Sequence, residues 1–174
     1  MTILAIFVVA SSLWGSPAAL PKGASYEVGF SPDRGSLPLV LKGIASAKSE
    51  ILMASYSFTS KPIAQALLAA HKRGVKVEVV ADEKSNRRSY SATTFLANQG
   101  VPVRLNGHYA IHHHKFLVID RRHLETGSFN FTAAAADKNA ENVLVLWNVP
   151  PLATTYATEW QRLWDEASPL PARY

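Results

Sequence analysis

The segment from His112 to Asn142 constrains the fold and the chemistry of this chain more than any other part of it. It contains His113, Lys115 and Asp120 in the spacing H-x-K-x4-D. Six residues separate Asp120 from Gly127-Ser128-Phe129-Asn130, and Glu141 follows Asn130 at a distance of eleven residues. A lone H-x-K is common by chance, whereas this whole set of spacings is specific.

The apolar run 116–119 predicts a buried strand, followed by a turn at Arg121-Arg122. Because alternate residues of a strand share a face, His113 and Lys115 are expected to point the same way if the strand begins as early as His113. A neutral imidazole can attack phosphorus, and an ammonium can hold the non-bridging oxygens of a phosphodiester as charge develops. Asp120 is the third candidate catalytic residue of this spacing. Along an alternating strand Asp120 would point to the other face from His113, and it lies at the strand end. A structural contact at the turn is therefore predicted for it.

Residues that can hold a phosphate follow the return strand 123–126. Gly127 permits a close backbone approach, and Ser128 and Asn130 precede the helix-prone run 132–136. A helix N-terminus with hydroxyl and amide donors nearby is an anion site. Lys115, Ser128 and Asn130 are therefore predicted to bind the phosphate oxygens.

Glu141 is a candidate to accept a hydrogen bond from an imidazole N–H, which would fix the tautomer of the nucleophile. A purely structural role for Glu141 stays open. The three consecutive histidines 112–114 also allow a metal site, but only alternate residues of a strand converge and the chain has no Cys ligand. We therefore predict no metal and no other cofactor, with His112 and His114 flanking the pocket.

Composition sets broad limits on what the chain can be. Its 174 residues are enough for one domain, with 48% hydrophobic and 18% charged residues. The absence of Cys excludes a disulfide framework and thiol chemistry. The net charge of +5 suits nucleic acid or an anionic membrane surface without choosing between them. Candidate polyanion contacts are Arg87, Arg88, Arg121 and Arg122, although scattered arginines are usually only solvated surface.

The N-terminus has the features of an export signal. Residues 3–14 are apolar but short for a membrane-spanning helix, and small residues follow up to Ala19. We predict a signal peptide over residues 1–19, although no Lys or Arg precedes the apolar run. The alternatives are a buried first strand and an uncleaved membrane anchor.

Further strands and helices alternate along the rest of the chain. Strands are predicted at 26–30, 51–58, 75–81, 101–105 and 142–147, and helices at 37–47, 60–73, 91–98 and 150–167. The last helix has an apolar face of Leu152, Tyr156, Trp160, Leu163 and Trp164. This alternation predicts an α/β fold with a mixed, largely parallel sheet sandwiched between helices, in one domain over residues 24–170.

The motif resembles the signature of the phospholipase D superfamily, H-x-K-x4-D-x6-G-S-x-N. The resemblance to the small bacterial endonuclease branch of that superfamily covers essentially the whole chain after the signal segment, through the segments 26–32, 55–59, 125–132 and 139–142. Larger members carry two copies of the motif. This chain carries one, because His71 lacks the spacing and His123 has no lysine two residues later.

The mechanism that the resemblance implies uses two histidines, one as nucleophile and one as general acid and then base. One chain supplies only His113, so a homodimer with a shared site is expected. His113 of one subunit would form a phosphohistidine while Lys115, Asn130 and Ser128 bind phosphate and Glu141 orients an imidazole. The implied protein is an exported, periplasmic or secreted, non-specific endonuclease that acts on DNA or RNA without a metal. No stable membrane association is expected after signal cleavage.

Two other functions fit parts of the sequence. The same phosphodiester chemistry serves a phospholipase D-type lipid phosphodiesterase acting at a membrane, although the sequence contains no clear amphipathic basic helix. A catalytically dead DNA-binding module is the third alternative, and the intact motif argues against it. Hydrolysis of a small chromogenic phosphodiester would separate an enzyme from a binding module.

Overall fold

A computed structural model of the chain describes residues 17–87 and 91–173. The strands in this part of the chain are β1 (Ser25–Ser31), β2 (Glu50–Ser55), β3 (Lys76–Asp82), β4 (Val103–Asn106), β5 (Lys115–Ile119), β6 (His123–Gly127), β7 (Glu141–Trp147) and β8 (Ser168–Pro169). The helices are α1 (Ser36–Ser46), α2 (Lys61–Lys72), α3 (Glu83–Asn86), α4 (Ala92–Asn98), α5 (Ala133–Asp137) and α6 (Pro150–Asp165). The predicted signal segment lies almost entirely outside the described residues.

The strands form one open, mixed sheet in the order β1-β7-β6-β5-β2-β3-β4-β8. The predicted α/β class and mixed sheet are confirmed, but parallel pairing is less extensive than predicted. Only the pairs β2–β3 and β3–β4 are parallel, because α2 and α4 carry the chain back across the sheet between them. From β5 onward, short connections without a long crossover helix join β5, β6 and β7, so these strands pair antiparallel.

Helices cover both faces of the sheet. On one face, apolar side chains of α1, α2 and α4, such as Val40, Leu67 and Leu96, pack with the inward-facing residues of the central strands in the larger core cluster. On the other face α6 packs through Trp160 and Leu163, as its predicted apolar stripe requires. The Trp160 indole N–H also donates a 2.8 Å hydrogen bond to the Met53 carbonyl, which fixes α6 on the centre of the sheet.

The strands that carry the motif, together with β2, each have one terminus at the same edge of the sheet. β2 and β6 finish there with Ser55 and Gly127, and β5 and β7 begin there with Lys115 and Glu141. Strand register therefore brings residues far apart in sequence to one line. We call this line the site edge.

The hairpin between β5 and β6 lies at the opposite edge. Its central residues are Asp120 and Arg121, with φ of 53° and 49°, and the Arg122 N–H donates to the Ile119 carbonyl at 2.9 Å. Two positive φ values are typical of the tight turns whose twist matches that of the paired strands. The predicted centre at Arg121-Arg122 is thus wrong by one residue, because Asp120 itself enters the left-handed region.

One carboxyl group is buried inside the larger core cluster. Glu125 is only 1% exposed and lies on β6 between Leu117 of β5 and Val145 of β7. Its Oε2 atom has no hydrogen-bond partner among the described residues. Burial raises the pKa of Glu125 to about 8, so this carboxyl is largely protonated at neutral pH.

Candidate active site

The His113 side chain is exposed at the site edge, two residues before β5 begins. The predicted alignment of His113 with Lys115 required the strand to begin at His113, but the regular pairing starts only at Lys115. The imidazole lies against the Tyr56 ring, with the ring centroids 4.6 Å apart and the planes tilted by 56°. Tyr56 directly follows β2, so the end of the neighbouring strand positions the predicted nucleophile.

Lys115 is nearly buried, with 9% exposure, where β5 begins. Its Nζ donates a 2.8 Å hydrogen bond to the His113 carbonyl and lies 5.4 Å from the centre of the Tyr56 ring. Burial lowers the pKa of Lys115, and the Glu141 carboxylate opposes that effect. An ammonium in this position, with one of its three donors used, is suited to a phosphate oxygen.

Asn130 is held at the site edge by two aromatic anchors. Phe129 and Phe131 are buried in the core on either side of it, and the Phe131 carbonyl accepts hydrogen bonds from the Thr59 and Ser60 N–H groups at 3.0 and 2.9 Å. The Asn130 Oδ1 atom is buried without a partner among the described residues. An amide left partly unsatisfied is expected where a ligand completes its hydrogen bonds.

The loop approaches β7 closely just before Asn130. A Cβ on Gly127 would lie 2.1 Å from the Asn142 carbonyl oxygen, so only glycine fits there. Ser128 Oγ donates to Glu141 Oε2 at 2.6 Å and accepts from the Asn142 N–H at 3.0 Å. The Ser128 hydroxyl is thus committed to the protein in this structure, and its predicted phosphate contact would require one of these bonds to change.

Glu141 lies at the site edge but has different partners from those predicted. Its two carboxylate oxygens accept from Ser128 Oγ at 2.6 Å and from Asn139 Nδ2 at 3.0 Å. No hydrogen bond from an imidazole reaches it among the described residues. The Glu141 carboxylate acts on Lys115 by favouring the charged form of that lysine. The short helix α5 is capped by Thr132 Oγ1, which accepts from the Ala135 N–H at 3.1 Å, and not by Ser128 or Asn130.

Asp120 lies at the opposite edge from the other motif residues. Its carboxylate accepts hydrogen bonds from the Lys48, Ser49 and Glu50 N–H groups at 3.0, 2.8 and 2.9 Å and from Ser49 Oγ at 2.8 Å. Burial acts to raise the pKa of Asp120, but these hydrogen bonds outweigh it and hold the pKa below its usual value. The contacts are those of a residue that ties the β5–β6 turn to the loop before β2.

Two supporting residues, Asp82 and Asn86, were missed by the sequence reasoning. Asp82 accepts from the His112 N–H at 2.8 Å through Oδ2. Asn86 donates to the carbonyls of Tyr56 and Asp82 at 2.6 and 2.8 Å. Asp82 and Asn86 are buried, and they hold the segment before His113 against the end of β2. The available signal was a polar residue at the end of the apolar strand β3 and another in the short helix α3 that follows it.

Two adjoining hollows open between the site edge and α6. The front pocket is lined by His113, Lys115, Phe116, Thr126, Gly127, Thr155, Tyr156 and Glu159. The side pocket is lined by Tyr109, Ile111, His112, His113, Arg162 and Leu163. His114 borders both pockets. The prediction that His112 and His114 flank the site agrees with this placement.

The candidate arginines that the structure describes do not gather at this site. Arg121 and Arg122 lie at the opposite edge, where Arg121 forms an ion pair with Glu50 at 3.0 Å. Arg87 pairs with Glu83 at 2.9 Å, and Arg88 is outside the described residues. Over residues 17–87 and 91–173, no group of three or more His, Asp or Glu side chains is clustered as metal ligands would be.

Comparison with known proteins places this arrangement in a family. The sequence model of the family described as "Cardiolipin synthase, PLD-like domain" matches residues 40–164. The chain belongs to the phospholipase D superfamily. Within it the chain is a Nuc-like member. The crystal structure of Nuc from Salmonella typhimurium, a phospholipase D family member, is 44% identical, with a TM-score of 0.84 over 86% of this chain and 99% of that one.

More distant relatives agree with this assignment. NucT from Helicobacter pylori has a TM-score of 0.76 at 25% identity, over 84% of this chain and 99% of that one. Mitochondrial cardiolipin hydrolase from Mus musculus is 30% identical over 89% of this chain, and phospholipase D from Rickettsia felis is 35% identical over 75% of it. The matched region covers 65% of each of these two relatives. These two relatives differ in the substrates that their names state.

No helix within the described part of the chain has the length and apolar character needed to cross a membrane.

Proposed function

We propose that this protein is an endonuclease that cleaves nucleic acid through a phosphohistidine at His113, without a metal ion. The observation that carries the proposal is the pairing of an exposed imidazole with a nearly buried ammonium at one sheet edge. A buried lysine is unfavourable without an anion nearby, so Lys115 is suited to a phosphodiester. The exposed His113 ring next to it is free to reach phosphorus.

The reaction proceeds in two displacements. A His113 ring nitrogen attacks phosphorus and forms an N–P bond, while the bond from phosphorus to one ester oxygen breaks and that oxygen takes a proton from a second histidine. The second histidine then removes a proton from water, which attacks phosphorus and releases His113. Lys115 and Asn130 hold the non-bridging oxygens during both steps.

The second histidine is supplied by a second copy of the chain. Tyr26, Val28 and Phe30 of β1 are 67%, 47% and 43% exposed and lie on the same face of the sheet as α6. Next to them Leu144 and Leu146 of β7 are only half-buried. This apolar face leads to the front pocket, so a subunit that covers it would also approach His113. A two-fold dimer buries the face and completes the site together.

Nucleic acid is the proposed substrate because the Nuc-like branch implies it and the chain carries a net charge of +5. The resemblance and charge do not distinguish DNA from RNA. Export follows from the predicted signal segment at residues 1–19, and we propose a periplasmic or secreted protein. N-terminal sequencing of the protein from a cell fraction outside the cytoplasm tests this, and recovery of the full chain in the cytoplasm would contradict it.

A lipid phosphodiesterase is the second candidate function. Two of the relatives are named for such an activity, a cardiolipin hydrolase and a phospholipase D. The same histidine and lysine would serve, with a lipid headgroup phosphate in place of a nucleic acid phosphate. Vesicles containing cardiolipin, assayed for released phosphatidic acid beside a plasmid, distinguish the two substrates.

The decisive experiment is plasmid degradation in excess EDTA by the wild type, His113→Ala and the control His71→Ala. His71 lies on α2, away from the site edge. We expect cleavage by the wild type and the control and none by His113→Ala. Degradation of the plasmid by His113→Ala would show that His113 is not the nucleophile. Failure of all three proteins to cleave the plasmid would shift the function to lipid or to metal-dependent chemistry.

A further inference from the structure

The side pocket is a separate recess beside the proposed nucleophile. It has a volume of about 390 Å³ and lies between the segment 109–113 and α6. His113 lines it, so a group bound there is attached to, or directly neighbours, a phosphate held at the site edge. The mechanism proposed above uses none of the other residues that line this pocket.

His112 is the feature of the pocket that points to a ligand. Its side chain is 1% exposed, and neither ring nitrogen has a hydrogen-bond partner among the described residues. Its backbone N–H donates a hydrogen bond to Asp82, which fixes the segment that carries the ring. Buried polar atoms in proteins are nearly always satisfied, and exceptions call for a ligand, an ion or a water molecule.

The chemistry of His112 limits which kinds of ligand could bind in the pocket. Burial, with a smaller contribution from His114, lowers the pKa of His112 to about 4. The ring is therefore neutral at pH 7 and offers one donor and one acceptor. The two nitrogens point in different directions, so one of them can donate to or accept from the hydrogen-bonding edge of a nucleobase.

The remaining walls favour an uncharged, flat group over a second phosphate. Tyr109 presents an aromatic ring and Ile111 an aliphatic side chain that is 48% exposed. Arg162 is already paired with Glu159 and Glu166, and its side chain also contacts the Tyr109 hydroxyl. Its charge is thus compensated within the protein, which leaves little attraction for an additional anion.

We propose that the side pocket receives a nucleobase next to the scissile phosphate, with the His112 imidazole bonding to the edge of the base. The inference rests on the proposed nuclease function and adds a substrate requirement to it. A base can enter the pocket only when it is turned out of a helical stack, so single strands and frayed ends are preferred.

Two matched probes test the pocket separately from the nuclease function. Thymidine 5′-(p-nitrophenyl phosphate) carries a base, and the corresponding abasic deoxyribose ester lacks only that base. We expect the wild type to show a kcat/KM for thymidine at least roughly tenfold above that for the abasic ester, as base binding in other proteins suggests. Equal values for the two probes would overturn the inference and leave the phosphodiesterase function intact. If neither probe is hydrolysed, both the proposed function and this inference are contradicted.

Variants then connect the base preference to the pocket. His112→Leu is expected to bring the ratio of the two kcat/KM values close to one, and His71→Leu on α2 is the matched control that keeps the ratio. Ile111→Glu changes an exposed side chain and so avoids loss of the fold, and it should lower the ratio as well. A base preference that persists in both pocket variants, or an equal loss for both probes in His112→Leu, would overturn the inference. In the latter case His112 would only position His113.

Discussion

The Lys115 ammonium donates a 2.8 Å hydrogen bond to the carbonyl oxygen of His113, two residues earlier in the chain. The proposed nucleophile and the proposed phosphate-binding lysine are therefore joined directly. This bond turns the lysine back toward the histidine at the point where β5 begins, and Tyr56 contacts both side chains. The single residue between them in the motif is what permits this return.

The charge of Lys115 is expected to depend on Glu141. Burial lowers the pKa of Lys115 and the Glu141 carboxylate acts against this, so Glu141→Gln should lower the Lys115 pKa further. The protonated fraction of Lys115 would then decrease at a lower pH than in the wild type. NMR titration of the Lys115 ¹³Cε resonance measures this, with exposed Lys61 as the internal control. An unchanged or raised Lys115 pKa would show that Glu141 does not stabilise the ammonium.

Asp120 is expected to affect stability far more than catalysis. Asp120→Ala removes the acceptor of four hydrogen bonds and should lower the free energy of unfolding by about 2 kcal/mol or more. Activity per folded molecule should be nearly unchanged, because the carboxylate lies at the edge of the sheet opposite the site. Urea denaturation and kcat measurements on the folded protein check both statements, with Asp137→Ala as an exposed control. A large loss of kcat with an unchanged free energy of unfolding would instead show that Asp120 has a catalytic role.

The same carboxylate should give an acid-sensitive contribution to stability. Its pKa is lowered in the folded protein, so the contribution is present above the unfolded-state pKa and is lost as pH falls through the folded-state pKa. The difference in unfolding free energy between wild type and Asp120→Ala should therefore shrink at low pH. A difference that stays constant to pH 2 would contradict the assignment.

Glu125 should reduce stability as pH rises. The unfolded chain ionises this carboxyl near its ordinary pKa of about 4.3, whereas the buried group remains protonated up to about 8. Between these values the unfolded state binds fewer protons, so the free energy of unfolding decreases with pH. Glu125→Gln has no carboxyl group to ionise. Its free energy of unfolding relative to that of the wild type should therefore be higher at pH 8 than at pH 5, by roughly 1–4 kcal/mol. Denaturation at both pH values is the test, and Glu78→Gln on β3 is the control. Parallel pH dependences of wild type and Glu125→Gln would argue against a neutral buried carboxyl.

The apolar face of β1 should control the oligomeric state. Val28→Glu places a charge on the face that is proposed to meet a second subunit, so the dimer should dissociate and plasmid cleavage should fall by at least roughly a hundredfold. Phe95→Glu is the matched control. Phe95 is 41% exposed and lies on α4, which covers the opposite face of the sheet. Light scattering measures the mass and circular dichroism verifies the fold. A fully active wild-type monomer would disprove the shared site.

The sequence predicted those features of the site that local spacing determines. The order of strand, turn, strand and loop follows from alternation and turn residues, and it brings Lys115 and Asn130 to one edge. The helix α6 and its buried Trp160 also follow from the apolar period. These features depend on residues that are near one another in the chain.

Other features depended on partners distant in sequence and were not predictable. The buried groups Asp82 and Asn86 support the segment before His113 across intervals of about thirty residues, as the Asp82–His112 bond illustrates. The partners of Glu141 were misassigned because the Ser128 hydroxyl lies closer than any imidazole in this structure. The extent of parallel pairing was overestimated because alternation of elements does not specify which strands become neighbours in space.

The convergence of strand ends at one edge also makes the site a late product of folding. Tyr56, Asp82, Lys115, Gly127 and Glu141 meet only when β2, β3, β5, β6 and β7 have all paired. No contiguous fragment that ends before β7 contains the whole arrangement. Recovery of activity during refolding should therefore follow completion of the sheet and not formation of the first helices or hairpin, which makes cleavage a sensitive reporter of the fully assembled fold.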